Sequence, residues 1–190
     1  MWCPWVLPIT VVTSLGCGRV GFDAQADAVD APLADATVTN LLTNASFETS
    51  ENWPAGWLFQ VIAPAAATLT RDTTTKARDG VASAWANVTA LDGVDWHVQL
   101  KQQGIPVTAG TTYAFTLWAR ADRPLRTYLT AQQDHDPYDV FGASDVDLTT
   151  SWQMFSVTFS PPADDTLLVS ILLGVGTGDF WVDDARLTVP

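Results

Sequence analysis

The stretch with most chemistry in it is Val94–Leu100, VDWHVQL. Trp96 supplies a flat apolar ring, and His97, Gln99 and Lys101 follow it as hydrogen-bonding groups. A ring face beside an amide that both donates and accepts suits a pyranose, whose axial C–H groups stack and whose hydroxyls need partners. The two-residue period of a strand sets Val98 and Leu100 on one side and His97, Gln99 and Lys101 on the other. A loop-like LDGVD precedes them, so Trp96 stands where a loop feeds a strand. A core tryptophan at a strand entrance is the commoner meaning of such a stretch taken alone, and both readings stay open here.

Other chemistries find less support. Asp95, Asp134, Asp136 and Asp139 provide carboxylates, but no spacing singles out a facing pair of the kind a glycosidase needs. His97 and His135 are the only histidines, and neither has a third metal ligand or a Ser or Cys partner in a recognisable motif. Gly174–Gly178 reads as a turn between strands, not as a phosphate-cradling loop.

The elements that must position these groups are strands. From Asn40 onward, strand-like runs alternate with turn signals, and no helical period is sustained. The expected strands are 66–71, 81–89, 94–101, 112–120, 125–133, 152–160, 166–173 and 179–188. Glycine and proline punctuate them, at Gly104, Pro106, Gly110, Pro124, Gly142 and Pro161-Pro162. The fold class is therefore all-β, an antiparallel sandwich or barrel.

Alternation then separates core from surface. Tyr113, Phe115, Leu117 and Ala119 share the core face of one strand, leaving Trp118 and Arg120 on the other. Ala82, Ala84, Ala86 and Val88 form a smooth core face, with Ser83, Trp85 and Asn87 opposite. Leu129 and Ala131 look inward, so Tyr128, Thr130 and Gln132 look out. Three strands thus carry aromatics and amides away from the core, which would form a patch if those strands were neighbours.

Totals bound the rest. The 190 residues hold one domain with length to spare at the N-terminus. Nine Lys and Arg against 21 Asp and Glu give a net charge of −12, which argues against nucleic acid or anionic lipid as partner. Residues 1–17, MWCPWVLPITVVTSLGC, are apolar but short for a membrane span and read as a secretory signal. Its end, Ser14-Leu15-Gly16-Cys17, resembles a bacterial lipobox, which implies lipidation at Cys17, with Ser14 standing where leucine is usual. Residues 18–38 are rich in alanine and aspartate, with no apolar face, and read as a flexible acidic tether. The expected location is the cell surface, lipid-anchored to a bacterial outer membrane, or the medium; the membrane is met only through that anchor.

Residues 39–190 as a whole resemble the carbohydrate-binding modules of families 4, 9 and 22. The matching pieces run in order: NLLTNASFE and NWPAGW (40–48, 52–57), ARDGVASAWANV (77–88), VDWHVQL, AGTTYAFTLWARA (109–121), SWQMFSVTFSPPADDT (151–166) and FWVDDARLT (180–188). The resemblance implies a two-sheet jelly-roll sandwich, like galactose-binding domains, that binds polysaccharide of the xylan or β-glucan type without cleaving it. It implies ring-stacking by Trp96 and by an aromatic of DHDPYDVFG (134–142), where Tyr138 matches best and Phe141 is its neighbour. Gln99 takes the place of a polar residue that contacts sugar hydroxyls, and Gln132 and Arg120 lie where cleft-lining polar groups are common. Trp118 matches an aromatic with a structural or a binding role, and Trp85 and His97 join the candidates as outward groups. The family's structural calcium implies Glu48, Asp79 and Asp183 as ligands, with backbone oxygens near Ala45 and Ala82. A monomer is expected. The alternatives are a structural or protein-binding sandwich used as a spacer or adhesin, and a small glycan-active hydrolase.

Overall fold

The structure, a computed structural model, describes residues 39–75 and 77–190. The signal segment, the acidic tether and Cys17 lie outside the described residues.

Among the described residues, ten strands form two five-stranded sheets in which every pairing is antiparallel. In chain order they are β1 (Leu58–Val61), β2 (Ala66–Asp72), β3 (Ser83–Ala90), β4 (Val98–Val107), β5 (Tyr113–Ala121), β6 (Leu125–Gln133), β7 (Val140–Leu148), β8 (Gln153–Phe159), β9 (Asp165–Leu172) and β10 (Gly178–Thr188). The first sheet has the order β1-β4-β9-β6-β7 and the second β2-β3-β10-β5-β8. The all-β sandwich expected from the sequence is what forms.

Alternation explains how the sheets meet. Val98, Leu100, Leu129, Ala131, Val146, Leu167, Val169 and Ile171 of the first sheet are fully or almost fully buried. So are Ala84, Ala86, Val88, Phe115, Leu117, Ala119, Phe180 and Val182 of the second. These inner faces make one hydrophobic core. Each strand's other residues point away from it, towards one of two separate outer faces.

Three details depart from the expected elements. β1 has only four residues, LFQV, too few to show a period. β7 escapes because the apolar residues of VFGASDVDL keep no two-residue period along its length, and Gly142 comes so close to the second sheet that a Cβ there would lie 3.0 Å from Phe159 and Val157. The strand expected over 94–101 starts only at Val98, since Asp95–His97 form a 3-10 turn. That turn breaks the two-residue alternation just where Trp96 and His97 sit.

Candidate functional site

The outer face of the first sheet carries polar groups in rungs that follow strand register. Gln60 of β1 lies beside Gln99 of β4, then Leu172 of β9 and Tyr128 of β6. The next rung runs Lys101, Ser170, Thr130. A third pairs Leu168 with Gln132 and Gln132 with Val140. Above this floor is a cavity of about 550 Å³ lined by Trp96, Tyr138, Gln60, Gln99, Lys101 and Gln132, with Thr130, Val140, Leu168 and Leu172.

Two aromatic rings border the cavity, and both are half exposed: Trp96 at 50% and Tyr138 at 51%. Trp96 rides on the 3-10 turn. The Gly174 amide donates to the carbonyls of Asp95 and Val98, each at 3.0 Å. A Cβ on Gly174 would meet the Asp95 oxygen at 2.4 Å, so this close approach demands glycine. The Trp96 carbonyl accepts from both Gln99 and Gln60 Nε2 at 3.1 Å, and Lys101 Nζ donates to Gln60 Oε1 at 3.0 Å. His97 braces the turn from the side. Its Nδ1 pairs with the Asp92 carboxylate, which it holds below the usual carboxylate range, and its ring meets Trp96 edge-on at 4.2 Å.

Tyr138 rides on the loop between β6 and β7, with a left-handed backbone at φ 61° that is uncommon outside glycine. Its amide donates to the His135 carbonyl at 2.7 Å, and the Gln133 amide donates to the Asp139 carbonyl at 2.9 Å. Asp165 fastens the loop to β9, taking Gln133 Nε2 at 2.8 Å and pairing with His135 Nε2 at 2.7 Å. The Asp136 carbonyl and the Asp165 carboxylate raise the pKa of His135.

The site therefore brings together Trp96, Gln99, Gln132 and Tyr138 from the sequence candidates. Gln60, Lys101, Thr130, Val140, Leu168 and Leu172 complete it. Of these, Lys101 and Thr130 stood on the outward face in the sequence, but a strand lysine or threonine usually signals plain solvation.

Five candidates lie elsewhere. His97 is turned aside by the 3-10 turn and braces the cleft without lining it. Phe141 packs against the core. Trp85, Trp118 and Arg120 do point away from the core, but from β3 and β5, so they occupy the outer face of the second sheet, across the sandwich from the cleft. Trp85 stacks on Trp181 with centroids 6.3 Å apart and planes 10° from parallel. The Arg120 guanidinium lies 4.0 Å from the Trp181 centroid and 5.3 Å from that of Trp152, and Arg78 lies 4.0 Å from the ring of Trp118. Burial lowers the Arg120 pKa, and the charge of Asp72 opposes the effect. Asp72 takes the indole N–H of Trp181 at 2.9 Å, and Asp179 takes that of Trp85 at 2.9 Å.

The expected calcium ligands are divided. Asp183 is fully buried, and its carboxylate accepts the amides of Arg78, Asp79 and Asp184. Burial, with the nearby Asp79 adding to it, pushes its pKa up to about 6 despite those amides. Ala45 and Asp79 line a shallow hollow with Asp184. Glu48 turns to the amides of Val81 and Ala82, both 2.9 Å from its Oε1. Ala82 is represented here through its amide, and the Ala45 carbonyl accepts the Ala185 amide at 2.9 Å. Among the described residues, no group of three or more His, Cys, Asp or Glu side chains is placed to hold a metal.

Comparison with known proteins bears on fold and family. The family model for the carbohydrate binding domain of families 4 and 9 matches residues 39–177. A solved domain described as "CBM4 structure and function" superposes with a TM-score of 0.64 at 24% identity, covering 78% of this chain and 99% of that one. The CBM22-1 xylan-binding domain of Xyn10C from Paenibacillus barcinonensis superposes with a TM-score of 0.61 at 12% identity, covering 80% and 95%. No curated protein matches the chain in sequence. The chain belongs to the family of carbohydrate binding domains, and its role is to bind carbohydrate without cleaving it.

Proposed function

We propose that the cleft on the first sheet binds a soluble polysaccharide of the xylan or β-glucan type, with Trp96 and Tyr138 stacking on sugar rings and Gln60, Gln99 and Gln132 bonding hydroxyls. The observation that carries this reading is that the two half-exposed rings border one cavity floored by amides. Pyranose C–H groups supply the stacking surface, and amides can serve hydroxyls as donor and acceptor at once. Rings already held in place lose little side-chain entropy on binding. A glycan array read by intrinsic tryptophan fluorescence tests the reading. Binding to xylan or β-glucan that Trp96→Ala abolishes, in a variant that stays folded, is the expected result. Undiminished binding by that variant overturns the cleft.

Calcium forms a second part of the proposal, at the hollow lined by Asp79 and Asp184 above the buried Asp183, with backbone oxygens completing the shell. The support is electrostatic: a buried carboxylate with a like-charged neighbour is relieved by a divalent cation, and Ca²⁺ takes much of its shell from carbonyls and water. A chelator should lower the melting temperature, and an unchanged temperature overturns this site. Lipidation of Cys17 and anchoring at the cell surface belong to the same proposal. Intact mass of the membrane-extracted protein tests them, and a mass without a lipid increment contradicts them.

A further inference from the structure

The floor of the cleft holds a charge that a neutral glycan does not require. Lys101 is only 9% exposed, yet it lies in the lining of an open cavity. Its Nζ donates to Gln60 Oε1, a neutral amide, and among the described residues no carboxylate forms an ion pair with it. An ammonium carries three donors, so two have no protein acceptor among the described residues. Among the described residues, the carboxylate whose charge is felt at Lys101 is that of Asp134, and it is engaged by the Gly104 amide at 2.8 Å. The neighbouring outward groups do not supply an anion either: Thr130 and Ser170 pair with each other at 2.7 Å, and Gln99 reaches the Trp96 carbonyl.

Taking an ammonium out of water is costly unless an anion or a full set of acceptors replaces the water. Gln60, Gln99 and Gln132 already provide what sugar hydroxyls need. A lysine adds positive charge, and what positive charge adds is preference for an anionic group through charge-assisted hydrogen bonds.

We propose that Lys101 is a specificity-determining residue and that the cleft's ligand is a polysaccharide bearing uronic acid groups, whose carboxylate completes the ammonium's hydrogen bonds. This rests on the cleft reading above and names the substrate class within it. The net charge of −12 adds a restriction. A densely charged polyanion is repelled by the protein as a whole, whereas an occasional carboxylate on a neutral backbone meets only the local field, since screening confines charge effects to about 8 Å at physiological salt. The ligand is therefore a sparsely substituted chain.

The test uses glucuronic-acid-substituted xylan, the same xylan after chemical reduction of its carboxyl groups, and unsubstituted β-glucan as a neutral reference. The wild type should bind the acidic xylan at least about ten-fold more tightly than its reduced form, the scale of one charge-assisted bond. In Lys101→Met the ratio of the two affinities should fall to near one. Gln60→Glu, which hands Lys101 a carboxylate inside the protein, should erase the ratio with the lysine still present. That variant keeps the test open should Lys101→Met fail to fold. Equal binding of the two xylans by the wild type, or a preference for the reduced one, overturns the inference and leaves the cleft standing. Binding to neither xylan nor β-glucan overturns the cleft and the inference together.

Discussion

The two outer faces of this sandwich are made from the same materials and end in opposite states. On the second sheet, Trp85, Trp181, Arg120 and Trp152 form a ladder in which each group lies against the next, and both indole N–H groups of Trp85 and Trp181 are taken by carboxylates. On the first sheet, Trp96 and Tyr138 are half exposed beside a cavity. An aromatic ring can stack on a sugar only with a face that nothing else occupies. The ladder uses its faces to hold the sheet, whereas Trp96, with His97 edge-on beside it, and Tyr138 keep half their surface exposed at the cavity. Tryptophan content alone therefore says little about binding; what lies over each ring decides.

This contrast can be broken at several points. The largest effect is expected from Trp96→Ala, which should weaken glycan binding by about 5- to 150-fold, the equivalent of about 1–3 kcal/mol for a truncated anchor, with little change in melting temperature. Gly174→Ala should come next. The added methyl meets the Asp95 carbonyl, so the turn must shift and Trp96 with it, and titration calorimetry should show a several-fold loss although Gly174 touches no ligand. Trp181→Ala should invert the pattern. It removes the middle of the ladder and strands Arg120, costing about 2 kcal/mol of stability in a denaturant melt, while glycan affinity stays within two-fold.

Acid and alkali should separate the same two faces with smaller effects. At Asp72 burial pushes the pKa up, but hydrogen bonds from Thr74 and Thr75 outweigh it and hold the carboxyl well below its ordinary value. A depressed carboxylate stabilises the fold above its unfolded pKa, about 3.9, and that contribution is lost as pH falls towards the native value. Melting temperature below about pH 4 should thus fall less steeply in Asp72→Asn than in the wild type. His135 has the opposite sign. Its raised pKa means that its contribution is complete below about pH 6.5 and is lost as pH rises through the higher native value. The loop carrying Tyr138 should loosen there, weakening glycan binding by less than about two-fold once His135 has lost its proton, and His135→Ala should remove that pH dependence.

How much of this was legible in the sequence follows from what alternation can encode. It gives the side of a strand, and it placed Phe115, Leu117, Leu129 and Ala131 inward and Gln99, Gln132, Trp85, Trp118 and Arg120 outward. It does not give the sheet, because sheet membership depends on which strands pair across distant sequence. Alternation therefore leaves open which outer face Trp85, Trp118 and Arg120 share, and the resemblance to binding modules does not separate them from the cleft set; pairing puts them on the second sheet. His97 failed for a local reason, since a 3-10 turn shifts side-chain direction by other than half a turn per residue. Phe141 enters through the resemblance as the loop neighbour of Tyr138, whereas β7 already begins at Val140 and carries Phe141 against the core. Gln60 sits on a strand of four residues that no period could reveal. The pairing of Trp96 with Tyr138 came from the resemblance, not from spacing, because they stand 42 positions apart with three strands, β4, β5 and β6, between them.

The most direct test of the central claim is the set of tryptophan indole N–H signals in a ¹⁵N-labelled sample titrated with a xylan or β-glucan oligosaccharide, assigned by single substitutions. The account predicts that the Trp96 signal moves in a saturable way while those of Trp85 and Trp181, held by Asp179 and Asp72, stay in place. Movement of the ladder signals with Trp96 unmoved would contradict it.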